Sequence, residues 1–141
     1  MKTKSIRLGR MIGALLLPLF ILTFIVLQAY GARPGQRLWV KRYNYWRANG
    51  DDTATAIALD STGNVHVTGY SEGSGTGYDY ATIKYDSAGN TLWVRRYNYR
   101  RADGNDYATA IALDGSGNVY VTGYSQGSGT GYDYATIKYA P

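Results

Sequence analysis

The chain has 141 residues, with 15 Lys+Arg against 10 Asp+Glu, a formal net charge of +5, one His and no Cys. The absence of thiols excludes disulfides, Cys-ligated metals, a cysteine nucleophile and an acylated lipoprotein anchor, and the single His excludes a site built on two histidines of one chain. Four of the bases, Lys2, Lys4, Arg7 and Arg10, lie at the extreme N-terminus; the eleven that remain against ten acids give nucleic acid no electrostatic reason to bind.

Those four bases precede an uncharged, mostly apolar run, Met11 to Leu27, interrupted only by Pro18. A basic segment, an apolar segment and then small residues at Ala29, Gly31 and Ala32 form the pattern of a secretory signal, cleavable after Ala29 or after Gly31. The apolar run is about 17 residues, at the short end for a membrane span, and no basic block follows to hold it in place. The sequence therefore predicts a signal helix over 1–31, either removed or retained as a signal anchor, and a secreted, periplasmic or cell-surface address. Membrane contact is expected only through an uncleaved signal. Residues 32–37, with Pro34 and Gly35, form a linker.

Nothing beyond this linker has a helical period, and the rest of the chain reads as strands. Eight are predicted: 38–45, 53–59, 65–71, 78–85, 91–98, 107–113, 119–125 and 132–139. In the second of these, Ala54, Ala56 and Ala58 alternate with Thr55, Ile57 and Leu59, and both faces are expected to be buried. Asp60-Ser61-Thr62-Gly63-Asn64 is a turn cluster whose carboxylate can accept backbone N–H bonds, so it predicts a hairpin to the β-branched strand that begins at Val65. Ser71 to Gly77 is expected to be a Gly/Ser-rich loop. Asp86-Ser87-Ala88-Gly89-Asn90 then repeats the hairpin signal before Thr91.

The run from Thr53 to Tyr85 returns as Tyr107 to Tyr139, and the copies align from Leu38/Leu92 to Ser87/Pro141 without a gap. About 39 of those 50 aligned positions are identical, the signature of a repeat whose units cannot bury their apolar faces alone. By this alignment Leu38–Tyr45 corresponds to the strand that closes the first complete unit, while the second unit stops at Pro141, directly after its third strand.

The segments Asp60-Ser61-Thr62-Gly63-Asn64-Val65-His66-Val67-Thr68-Gly69-Tyr70 and Asp114-Gly115-Ser116-Gly117-Asn118-Val119-Tyr120-Val121-Thr122-Gly123-Tyr124 resemble the core motif of the bacterial β-propeller repeat family SBBP. Asp79–Tyr85, Asp133–Tyr139 and the Leu-Trp-Val triplets at 38–40 and 92–94 resemble it too. The resemblance implies an all-β chain of propeller-type blades, exported and without an assigned catalytic centre. The expected organisation is a stray outer strand and loop over 38–52, a four-stranded blade over 53–99 and a second over 100–141 that lacks its own outer strand. A closed ring takes about four to eight blades, so self-association or pairing with other propeller repeats is expected through the edges Leu38–Tyr45 and Tyr132–Tyr139.

Few residues point to chemistry. Gly73-Ser74-Gly75-Thr76-Gly77 lies between strands, without the helix N-terminus that a phosphate loop needs. The Asp-x-x-Gly-Asn turns offer one carboxylate each and lack the distal bidentate Glu of a calcium loop. His66 is replaced by Tyr120 in the second copy and reads as a half-buried strand residue; no G-x-S-x-G elbow accompanies the many hydroxyls. The aspartate at Asp52 and Asp106, which persists in both copies, reads as a cap at the entry to the first strand of each unit. No catalytic, cofactor or metal residues are expected. The ligand-facing candidates are the two aromatic and basic groups Tyr45, Trp46 and Arg47 and Tyr99, Arg100 and Arg101, since tyrosines with arginines can stack bases or sugars. Two functions fit: a non-catalytic exported repeat module serving structure, adhesion or recognition of an extracellular protein or glycan, and a propeller lectin or enzyme acting on extracellular polysaccharide.

Overall fold

The computed structural model describes residues 31–99 and 104–141; the predicted signal segment lies almost wholly outside them. Arg33–Gln36 make a tight turn, closed by the Gln36 N–H donating to the Arg33 carbonyl at 2.8 Å, with Gly35 at a φ of 77°. Among the described residues no helix is long and apolar enough to cross a membrane.

The segment from Trp39 onward is all-β, with two antiparallel sheets of four and three strands. The first runs in order through β1 (Asp52–Leu59), β2 (Val65–Gly73), β3 (Gly77–Tyr85) and β4 (Thr91–Tyr97); the second through β5 (Asp106–Leu113), β6 (Val119–Gly127) and β7 (Gly131–Tyr139). Within each sheet, sequence neighbours are joined by hairpins, and the turn chemistry shows why. Asp60 Oδ1 accepts from the backbone N–H groups of Thr62 and Asn64 at 3.0 and 2.9 Å, with Gly63 at a φ of 83°. Asp114 holds Ser116 and Asn118 in the same way, and Asp86 holds Asn90. The register of the two copies is identical, down to a bulge opposite Gly69 and Gly123, where an inner strand carries one extra residue between Ala54 and Ala56 or between Ala108 and Ala110.

Four expectations need correction. Residues 38–45 form no strand: with no neighbouring strand to supply a ladder, a segment with strand-like sequence has nothing to pair with. β1 is not buried on both faces, since Ile57 and Leu59 remain 64% and 65% exposed. The Gly/Ser stretch is mostly ladder, because Glu72 pairs with Tyr78 and Gly73 with Gly77, leaving a three-residue turn that Gly75 and Gly77 permit at positive φ. His66 is fully buried rather than half-buried.

The core lies where the two sheets meet. Tyr80, Ala108, Val119 and Val121 are its buried centre, ringed by Trp93, Tyr97, Ile111, Ile137 and Tyr139. The second sheet thus presents its Val119, Val121, Ile137 and Tyr139 face to the Tyr80, Trp93 and Tyr97 face of the first. Thr55 bridges the first strands of the two sheets, β1 and β5, its hydroxyl donating to the Ala108 carbonyl at 2.7 Å.

Candidate interaction surface

The residues singled out for ligand contact do not assemble into one site. The Arg96 guanidinium carbon stands over the Tyr45 ring, 4.0 Å from the ring centroid, while Trp46 is 75% exposed with Arg47 over it at 4.8 Å. Tyr99 is half-buried and its backbone N–H donates to Asp106 at 3.0 Å. Arg100 and Arg101 lie outside the described residues.

Arg96, which the sequence reading passed over, is the better-built group. It donates to Asp79 Oδ2 at 2.7 Å, to the Ser71 carbonyl at 2.9 Å and to the Tyr43 hydroxyl at 3.2 Å. Burial pushes the Asp79 carboxyl up, against the pull of Arg96 and the Thr76 hydroxyl. The signal lay in alternation: Arg96 pairs with Ala81, two residues from Asp79 on the same face, so a strand arginine there points at a strand aspartate.

His66 sits 3.3 Å from Asp60, edge-on to Trp93 at 5.9 Å, with Lys84 3.4 Å from the same carboxylate. Bonds from Thr62, and then from Asn64 and His66, outweigh burial and hold the Asp60 carboxyl well below the usual range; burial lowers the His66 imidazole. In the second copy the Tyr120 hydroxyl donates to Asp114 at 3.0 Å, and Asp114 is lowered to about 2, chiefly by Asn118. A Tyr in the same place makes the same bond, so the position is a brace for the turn. Among the described residues no three His, Cys, Asp or Glu side chains converge as a metal site would require.

Two apolar surfaces lie outside the core just described, each the counterpart of one half of it. On the first sheet's outward face an apolar groove of about 240 Å³ runs between the exposed Ile57, the half-buried Val65 and Val67 and the buried Ala81, Ile83 and Tyr85, flanked by Trp39, Lys41 and Tyr43. In the second sheet the counterparts Val119 and Val121 are buried in the core, with Ile111 and Ile137 packed against it. The second sheet's outward face carries Tyr134, 97% exposed, where its counterpart Tyr80 is 0% exposed. Beside it, Tyr124 and Tyr132 meet edge-on at 5.3 Å and continue through Tyr107 to Tyr70 and Tyr78 as a row of five rings that spans both sheets.

The two sheets are consistent with propeller-type repeats. The chain belongs to the SBBP beta-propeller repeat family, whose description matches residues 38–75 and 92–129, over half its length. No curated protein matches it.

Proposed function

We propose that the chain is an exported, non-catalytic propeller-repeat module whose two sheets are blades and whose role is structural, adhesive or one of recognition. The observation that carries this reading is a contrast between the repeats: Tyr80, Val119 and Val121 are buried between the blades, whereas Tyr134 stands 97% exposed and Val65 and Val67 are only half-buried along an apolar groove, so the surface offered to partners is built for packing. Export rests on the basic and apolar N-terminal pattern. Fusing residues 1–34 to a reporter should carry the reporter across the cytoplasmic membrane, with a new N-terminus near Tyr30 or Ala32; a reporter left whole in the cytosol would remove the export half of the proposal.

A second reading, glycan binding, is favoured by one observation, the tyrosine row, in which Tyr132 is 54% and Tyr124 41% exposed at one end. Pull-down of the exported protein on insoluble polysaccharides, with Tyr132→Ala as comparison, separates the two: retention that the substitution abolishes supports a lectin, and no retention leaves the packing role.

A further inference from the structure

The groove on the first blade has the same chemistry as the surface on which Tyr80 is seated. Tyr80 is swallowed by the second blade: its hydroxyl donates to the Ala135 carbonyl at 3.2 Å and lies so close to Gly123 that a Cβ there would stand 2.7 Å from it. The counterparts of Ala135 and Gly123 are Ala81 and Gly69, and both line the groove. The counterpart of Tyr80 is Tyr134, the most exposed of the large hydrophobic side chains on the far blade face.

The segment from Trp39 to Tyr45 supplies a second match. Trp39 lies 6.1 Å from Tyr85, centroid to centroid, as Trp93 lies 5.8 Å from Tyr139. The Trp39 indole N–H donates to the Ser87 carbonyl at 3.2 Å, and the ring closes over Gly89. Residues 39–45 therefore rest on the first blade as β4 rests on the second. Among the described residues β7 is paired on one side only, with β6.

We propose that these surfaces bind each other between copies: a second copy of this chain seats its Tyr134 face in the groove, and residues 39–45 of the first copy pair with β7 of the second. The proposal rests on the reading of the chain as a propeller-repeat module and names its partner. The internal blade contact supplies the geometry. Tyr80 pairs with Tyr97, Ile83 with Val94 and Lys84 with Trp93, so Tyr134 pairs with Tyr43 of the other copy, Ile137 with Val40 and Lys138 with Trp39. Val40, 61% exposed, gains cover. Arg42, which is exposed, reaches Asp133 as Arg96 reaches Asp79; Thr130 already donates to that carboxylate at 2.7 Å, as Thr76 does to Asp79. The contact is heterologous, so it repeats head to tail, closing with about three or four copies.

The test uses the full chain. Sedimentation velocity on the wild type should show closed oligomers, whereas Tyr134→Glu and Ile57→Lys, changes at residues exposed in a single copy, should each give monomers with the wild-type circular dichroism spectrum. Mixed in equal amounts, the two variants retain one intact pair of surfaces and should form a heterodimer and nothing larger. Because the chain has no cysteine, the register has its own readout: Val40→Cys mixed with Ile137→Cys should give an interchain disulfide on oxidation, and Val40→Cys mixed with Ser128→Cys, on the neighbouring turn, should not. A wild type that stays monomeric at every concentration overturns the proposal. So does an oligomer that both substitutions leave unchanged, or a disulfide that forms equally with Ser128→Cys. None of these outcomes touches export, which the reporter fusion reads alone.

Discussion

Position 66 is where the two copies differ most in chemistry while sharing a job. The His66 ring is buried against Trp93, and the groups facing it are the Asp60 carboxylate and the Lys84 ammonium. Burial lowers its pKa from the ordinary 6.5, with the nearby Lys84 charge adding to the effect and Asp60 opposing it. The folded chain thus keeps the imidazole neutral while the unfolded chain takes up a proton as pH drops below 6.5. Stability from this group is complete above that value and is lost as pH falls beneath it, until the lowered native value is reached. His66→Tyr, which copies Tyr120 and its bond to the turn carboxylate, should fold and lose this step. Urea midpoints at pH 7.5 and 5.5 check it: the wild type should fall more than the variant across the interval, and equal falls would disprove the assignment. Arg96 is the other residue with a large stake. Its side chain is 17% exposed, and Arg96→Ala leaves the Asp79 carboxylate buried without its cation. Loss of about 3 kcal/mol in chemical denaturation is expected.

At the scale of strands and turns, most of the fold was legible, and the reason is local. The period of two together with Asp-x-x-Gly-Asn places seven strands within two residues of their observed ends, because both signals act within a few bonds of themselves. What was missed depends on neighbours. A ladder at 38–45 needs another strand, the burial of β1 needs a blade on each side, and the bond from Arg96 to Asp79 needs β4 beside β3. The candidate site was less legible still, since Tyr80 and Tyr134 are the same residue in the same heptapeptide and differ only in what covers them. The bulges were unforeseen as well. Gly123 faces the Tyr107 carbonyl, the Ala108 backbone and the Tyr80 hydroxyl, so a side chain there has no room. Gly123→Ala should cost about 2 kcal/mol, read as a lowered denaturation midpoint, because both backbone walls and the Tyr80 seat must shift. The family match begins at Leu38 and Leu92 and ends in the turns after β2 and β6, so one repeat unit runs from the last strand of one blade into the first two of the next. A unit cut this way ties neighbouring blades together covalently.

For the whole molecule, the proposed contact between copies differs from the internal one in its row of tyrosines. Tyr107 stacks on Tyr70 at 4.8 Å and on Tyr124 at 5.1 Å, whereas its counterpart in the first copy is Thr53. Between copies, Tyr124 and Tyr132 therefore meet a threonine where the internal contact has a ring. Thr53→Tyr should tighten assembly, shifting the oligomer–monomer midpoint in a dilution series to lower protein concentration by about fivefold, in line with about 1 kcal/mol for an added aromatic pair. An unchanged midpoint would show that the tyrosine row does not cross between copies.

The anchoring of Trp39 bears on how quickly such a contact forms. A loose segment recruited as a strand would lose its conformational freedom at the moment of binding and weaken the complex accordingly. Here the indole is already clamped between Tyr85, the Ser87 carbonyl and Gly89, and Tyr43 is held by Arg96, so that ordering is completed during folding. The arriving edge meets a rigid template. Trp39→Ala, added to the Tyr134→Glu chain, should free the template while leaving the groove floor of Val65, Val67 and Ala81 and the partner's Tyr134 in place, so that in stopped-flow mixing with Ile57→Lys chains association slows by more than dissociation accelerates.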